Sequence, residues 1–571
     1  MDRTAWIAVT LCVLGLFAWQ IWTSRQAVPR PALATTPSPA VPGVSASATP
    51  SAAATVVPQP ADAATAAPTA TPPAFVEQTE TLRNSDVELH FTNRGGGIAE
   101  AILPNYLAEH GESVTLNSPA RLPIAAIVDD PAVPLLPEYT MAHDGNTVTL
   151  EYATPEQVTI RKKFSFAKTN EKKENFVATL DVDFVNRGTK PYANPGYFFT
   201  VGSAVPIHAN DYPSYTQLVW LTGGGTKKID VGWFAEGGGV LGIGQHPARP
   251  YYTQNINSAE WVAASSQFFT SLVVPLTEKA DAVWGKRFDI NPARKTYGLE
   301  GAMHLPGFKV EAGQTYTARF QLYLGPKLYH RLARLDHNEA EVMEFGVFKI
   351  ICQALLNILN TLHSFLGNYA AAILALTTIV KLSLWLLQNK ATSSMRRMSA
   401  LSPKIQELRE KYKDDPTRMN QESMKLYKEY GINPVGGCLP MLIQIPIFFG
   451  LFTMLRQAVE LRGASFLWIK DLSQPDTVGH LPMLGWPINV LPLIMAATSF
   501  WMTHLTPKSG DPTQQRMMMF MPIIFIVFCY NFAAALALYY TAQNLFSILQ
   551  LYQNRKQPMP TLEKLPKRAR K

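Results

Sequence analysis

The stretch TTIVKLSLWLLQNK, residues 377–390, decides how the C-terminal half of the chain is built. With the residues before it, it forms an apolar run over about 369–387, and some twenty apolar residues at ~1.5 Å rise each are enough to cross a bilayer as a helix. One cation, Lys381, lies inside the run. It sits about seven residues, or roughly 10 Å, from the polar end. On insertion scales a lysine at the bilayer centre costs about 2.5–3.5 kcal/mol. Two readings are open. The stem can stretch and carry the ammonium to the interface. Alternatively, Lys381 faces a wet cavity, where water lowers the cost of the charge.

Working outward, four more apolar segments follow at about 441–459, 488–505, 517–532 and 535–552. The N-terminal run AWIAVTLCVLGLFAWQIW, residues 5–22, reads as an uncleaved anchor over 1–24, giving six spans. The formal net charge is +8, and ten Lys or Arg lie between Lys390 and Lys428. The tail, 553–571, is also basic. By the positive-inside rule both are cytoplasmic, as are both termini, and the remaining large domain lies outside the cytoplasm. Arg25 and Arg30 behind the anchor argue weakly for the opposite orientation, and the larger cluster outweighs them.

Residues 25–74 are dominated by Pro, Ala, Ser and Thr, cannot build a core and read as a disordered tether. From 75 to 340 the apolar residues alternate. In NFVATLDVDFVNRG, Phe176, Ala178, Leu180, Val182 and Phe184 take every second place, and turns such as NRGGG and LTGGG punctuate the pattern. This predicts an antiparallel β-sandwich. GGGTKK, residues 223–228, lacks the Walker spacing and reads as a turn. None of the four cysteines falls in this domain, which is large enough to fold without disulfides.

Residues 341–366 change the period. Val347, Phe348, Ile351, Leu355, Ile358, Leu359 and Leu362 recur at helical spacing, as expected of an amphipathic helix at the membrane interface. The cytoplasmic segment 389–437 reads as a helical hairpin joined at DDP, with Asp415 as cap and Pro416 at the first helical position. Ile405, Leu408 and Tyr412 form one stripe; Met419, Leu426, Tyr427 and Tyr430 form the other. A hairpin able to touch the ribosome or a substrate and a merely solvated charged loop both fit this pattern. The fold class expected is therefore a multi-domain membrane protein: an antiparallel β-sandwich, a five-helix core over 367–552 and one anchor helix.

No HExxH, no GxSxG and no pair of intramembrane aspartates is present, so no enzyme, cofactor or metal site is expected. The five C-terminal spans carry no carboxylate except Glu460, which a local i,i+4 pair with Arg456 explains. What remains is Lys381 with neutral polar residues: Thr377, Thr378, Gln388, Gln444, Tyr540, Thr541 and Asn544. Ordinary helix–helix hydrogen bonding accounts for such residues as well as a polar cavity does. Ile445, Phe448, Met521, Phe525 and Phe528 supply a pliable apolar wall, which bundle packing also explains.

The motif NPVGGCLPMLIQIPIF, residues 433–448, resembles the YidC family of membrane protein insertases, which has mitochondrial and chloroplast relatives. WVAASSQFF and YLGPK in the β domain, the charged hairpin and the order of segments extend the resemblance over nearly the whole chain. It implies an inner-membrane protein with its β domain in the periplasm, and a groove open to cytoplasm and lipid. The family's intramembrane cation falls on Lys381, where arginine is usual. Thr377 and Tyr540 fall on core positions important for activity, and Ile445, Phe448, Phe525 and Phe528 on the greasy slide of the substrate. The implied partners are nascent membrane proteins, the Sec translocon, the ribosome through hairpin and tail, and the lipid bilayer, without specific nucleic acid. The competing readings are a small-anion transporter or channel built around Lys381, and a carbohydrate-binding or enzymatic role for the β domain.

Overall fold

The computed structural model describes residues 77–556 apart from 110, 168–174, 209–210, 238–245, 414, 433–438, 483–484 and 507–511, together with 562 and 564. The expected anchor and tether, the first part of the 433–448 motif and most of the basic tail lie outside the described residues.

The period-two pattern becomes strands. In Val177–Asn186 the apolar residues Ala178, Leu180, Val182 and Phe184 turn inward. This strand pairs antiparallel with Val158–Phe166 on one side and Thr315–Pro326 on the other. They are the middle of a nine-stranded antiparallel sheet that runs from Gly225–Asp230 to Thr140–Asp144. A five-stranded sheet, with Tyr192–Ala204 and Thr296–Val310 near its centre, faces it. Phe199 of the smaller sheet stacks on Phe320 of the larger at 4.2 Å between ring centres. A third sheet of four strands, spanning Thr79–Arg83 to Ser113–Leu116, packs through Phe91 on Phe164 and was not anticipated. GGGTKK opens a hairpin strand, with Thr222 opposite Gly225.

Two lysines are wholly enclosed in this domain. Lys162 donates to the carbonyls of Gly96 (2.7 Å), Ala125 (2.8 Å) and Gly95 (3.1 Å), tying the NRGGG turn to the sandwich. Lys327, just after the last strand, has no hydrogen-bond partner for its amine among the described residues. Burial lowers its pKa to about 7, with nearby Glu344 opposing and Lys228 assisting. A lysine whose folded-state pKa lies below its unfolded value makes stability rise with pH across the interval, here from about 7 to about 10.5. The gain is on the order of 5 kcal/mol at most, and it is fully lost below pH ~7. Lys327→Met is therefore expected to raise the Tm of the detergent-solubilised chain at pH 7, with the difference shrinking toward pH 10. A gap of equal size at both pH values would contradict this account.

The helical part begins with α1, Lys349–Leu366. Its buried stripe is Cys352, Leu355, Leu356 and Leu359. Val347 precedes the helix and is exposed, and Ile358 turns outward, so the apolar stripe read from the sequence is rotated. Gly367, at φ 65°, closes α1, and Asn368 caps the next helix by accepting from the Ala371 amide (3.0 Å).

Helix α2, Tyr369–Ala400, continues well past the apolar run that suggested an end near 387. A fall in hydropathy does not end a helix. The residues from Gln388 to Ala400 contain no Gly or Pro, and the stop comes before Pro403. The hairpin follows as α3, Ser402–Lys411, and α4, Pro416–Glu429. Asp415 Oδ1 accepts from the Arg418 amide at 3.0 Å, as the cap requires. Leu401, Ile405 and Ile432 form a small core with Leu426, Tyr427 and Tyr430. Leu562 of the tail packs on it, and Lys564 pairs with Glu429 at 3.2 Å.

The remaining helices are α5, Leu439–Gln457; α6, Val490–Leu505; α7, Pro512–Cys529; and α8, Ala534–Arg555. Among the described residues only α2 is long and apolar enough, by length and composition, to cross a membrane; α6 and the stretch Met519–Cys529 are shorter. Helix α8 is long enough but carries polar residues through its middle.

The expected pair between Arg456 and Glu460 does not form. The α-helix ends at Gln457, and Glu460 lies in a separate turn, Val459–Leu461. Asn360 of α1 donates to the Glu460 carboxylate at 3.3 Å. Arg456 instead lies 4.0 Å over the Tyr212 ring of the β domain.

Candidate functional site

Lys381 lies on the face of α2 that packs against α8 and is 2 % exposed. Its ammonium donates to Ser547 Oγ at 2.8 Å. No carboxylate pairs with it among the described residues. The two helices continue their polar contact toward their C-terminal ends. Gln550 donates to Asn389 Oδ1 (2.7 Å) and to the Trp385 carbonyl (3.3 Å), and Asn554 donates to Asn389 Oδ1 (3.2 Å). One turn before Ser547, Gln543 reaches α5 and donates to Gln444 Oε1 at 3.1 Å.

In this arrangement Lys381 is enclosed between α2 and α8. A lone ammonium left in an apolar interior is too expensive to keep without an acceptor. The helices close on it, and a neutral hydroxyl supplies the acceptor. The side chain lies inside the bundle rather than along its outer surface.

The other expected groove residues are dispersed. Thr377 and Thr378 sit one turn before Lys381, but their hydroxyls return to the Ile373 and Leu374 carbonyls of their own helix (2.7 and 2.9 Å). Thr541 does the same with Ala537 (2.8 Å). Gln388 is half-buried, and its carbonyl accepts from Thr392 (2.9 Å). Asn544 points away from Lys381, toward α6, where it donates to Ser499 (2.8 Å) and Thr498 (3.1 Å). Tyr540 belongs with the apolar wall, its ring centre 5.1 Å from Phe525 and 5.3 Å from Phe448.

The expected apolar residues lie close to one another. Phe448 and Phe525 meet at 5.8 Å. Phe528 reaches Phe532 at 5.3 Å and is itself exposed, as are Ile445 and Met521. The sequence reading missed Ser547, Asn389, Gln550 and Asn554. A signal existed: Gln543, Ser547, Gln550 and Asn554 recur at i, i+4, i+7 and i+11, which is one face of α8.

An enclosed cation on a polar seam, an exposed aromatic wall beside it and a separate antiparallel β domain define a helical membrane-associated protein that holds polar groups inside an apolar bundle. Residues 361–560 match the family described as 60Kd inner membrane protein, and residues 80–358 match the YidC periplasmic domain. The membrane protein insertase YidC of Syntrophobacter fumaroxidans is 34% identical over 423 residues, covering 72% of each chain. That of Nitratidesulfovibrio vulgaris is 35% identical over 362 residues, 62% of this chain and 61% of the relative. A crystal structure of an active YidC insertase with its first transmembrane domain resolved aligns with 85% of this chain and 95% of its own, at 20% identity and a TM-score of 0.36. The chain belongs to the YidC family of membrane protein insertases, inner-membrane proteins with a periplasmic domain.

Proposed function

We propose that this chain receives nascent membrane proteins at the seam between α2 and α8 and passes their apolar segments into lipid along the wall of Ile445, Phe448, Met521, Phe525, Phe528 and Tyr540. The observation that carries this reading is a buried ammonium whose acceptor is the neutral Ser547 hydroxyl. A carboxylate or peptide carbonyl of an incoming chain is a better acceptor for an ammonium than a hydroxyl, so the contact is exchangeable. An ammonium attracts an acidic group by about 4 kcal/mol at 4 Å and an effective dielectric of 20, before desolvation is subtracted. That is comparable to the ~2.5–3.5 kcal/mol that one Asp costs in a bilayer. A membrane potential favours outward movement of a negative tail by ~2.3 kcal/mol per charge per 100 mV. Burial of the substrate's apolar helix in lipid drives the remainder.

In this reading the chain is multi-pass with both termini in the cytoplasm. The hairpin α3–α4 and the basic tail, joined through Lys564 and Glu429, form the surface offered to the ribosome. The chain works alone or with the Sec translocon. The seam opens when substrate arrives, because in its closed form Lys381 has no route to a client. A stalled nascent chain should photo-crosslink to positions 381, 448 and 528 in inner-membrane vesicles. Crosslinks confined to the outward positions 382 and 386 of α2 would overturn the seam as the receiving site.

A further inference from the structure

Helix α6 is too short to cross a bilayer alone. Its 16 residues rise about 24 Å at ~1.5 Å each, against a hydrocarbon core of about 30 Å. Its exposed side is apolar, with Leu493, Ile494, Phe500 and Trp501 turned outward. Toward the inner end Trp501 lies 6.4 Å from Tyr552 of α8 between ring centres, and the charged Lys508 follows soon after the helix. The missing length therefore falls at the outer end.

The element that precedes α6 there is a β-hairpin, Thr477–His480 paired with Pro487–Asn489. Between Asp476 and Lys508 the sequence holds no Lys, Arg, Asp or Glu, so the uncharged stretch runs unbroken from hairpin into helix. Trp486 is 66 % exposed, Val478 55 % and Leu481 42 %. Among the described residues the two strands pair with each other and with no other strand. Their base is firmly held. Thr477 Oγ1 donates to Asn489 Oδ1 (2.7 Å), Asn489 Nδ2 donates to the Tyr530 carbonyl (2.8 Å), and the Tyr530 hydroxyl donates to the Pro487 carbonyl (2.7 Å). Asp476, buried just before the hairpin, accepts from the Leu491 amide (2.6 Å) and from Trp468 Nε1 (3.1 Å). The hairpin thus extends the outer end of α6, on the side where Arg462 donates to the Leu107 carbonyl of the β domain.

We propose that this hairpin is an interfacial anchor: Val478, Leu481 and Trp486 enter the headgroup–acyl boundary of the periplasmic leaflet and complete the apolar length that α6 lacks. Exposed apolar patches mark protein or membrane contacts. A lipid surface is the better fit here, because the patch continues the exposed apolar side of α6 and offers no charge with which to select a protein. The backbone limits the depth. Free strand edges carry unpaired amides and carbonyls that hydrocarbon does not tolerate, whereas tryptophan favours the interface. Tyr530 directly follows α7, so the anchor fixes the depth of the outer ends of both α6 and α7, and with α7 that of Phe525 and Phe528.

The test places a photo-reactive amino acid at position 481 or 486 of the full chain in phospholipid nanodiscs, with the exposed position 279 of the β domain as aqueous reference. Lipid adducts, counted by mass spectrometry, are expected at both positions about tenfold above those from 279. A second measurement takes the fluorescence of Trp486 as the difference between wild type and Trp486→Phe. Bromines near the top of the acyl chain should quench it more than bromines near its methyl end. Lipid yields no higher than at 279, or adducts mainly to the β domain or to a second, isotopically labelled copy, would overturn the anchor. Stronger quenching from the chain ends would overturn its placement at the boundary.

Discussion

Lys381→Ala is expected to lower insertion of clients with acidic or polar tails about tenfold, while Lys381→Arg retains it. Alanine removes the only cation of the α2–α8 seam among the described residues and leaves Ser547 bonded to the Gln543 carbonyl of its own helix (2.9 Å). The bundle then loses a buried charge that was costly to hold, so its folding does not suffer. If only about 1.4 kcal/mol of the ~4 kcal/mol attraction survives desolvation in the wild type, its loss still corresponds to about tenfold in rate. Arginine keeps the charge and adds a bidentate fork. The measurement is insertion of a tail-charged series into proteoliposomes, with the size of the effect growing as acidic residues are added. Equal insertion by wild type and the alanine variant across the series would remove Lys381 from the mechanism.

Arg456→Ala is expected to free the β domain from the outer end of α5. The guanidinium lies over Tyr212 (4.0 Å), Phe452 (4.7 Å) and Tyr215 (5.1 Å), so one cation joins rings from the helical core and the β domain. No carboxylate pairs with it among the described residues. Desolvated contacts of this kind are worth up to about 2 kcal/mol each, so loss of even one shifts docking about thirtyfold. Gln267, which donates to the Arg456 carbonyl at 2.9 Å, then holds this point together with Arg462, which donates to the Leu107 carbonyl and lies 5.3 Å over the Phe269 ring. Spin labels at positions 279 and 478 should give one narrow distance in the wild type and a broad distribution in Arg456→Ala. Arg456→Lys should fall between them, because lysine keeps the charge but not the planar stacking. A narrow distribution in the alanine variant would show that the domain is held elsewhere.

Much of the architecture was legible because it is local. Alternation at Ala178, Leu180, Val182 and Phe184 fixed which face of that strand is buried. Asp415 before Pro416 marked the start of α4 by capping chemistry alone. Hydropathy was a poorer guide to ends than to existence: α2 runs to Ala400 because nothing in Gln388–Ala400 breaks a helix, whatever its polarity.

The candidate site was legible in its centre and not in its membership. Lys381 announced itself as a cation in an apolar run. Tyr540, Thr541 and Asn544 are consecutive or nearly so in sequence, yet α8 sends Tyr540 to the aromatic wall and Asn544 to α6. Ser547, the partner of Lys381, is 166 positions away from it; the polar stripe on α8 marks Ser547 as facing inward but not which helix it meets.

The sequence by itself determined the elements: sheet here, helix there, an ammonium where the chain is most apolar. Periodicity records which face of an element avoids water, and that is a property of neighbouring residues. Only the tertiary structure decided who meets whom: Lys381 with Ser547, and Arg456 with Tyr212 rather than Glu460. Those meetings depend on how each helix is rotated and docked, which is set by packing summed over many distant residues.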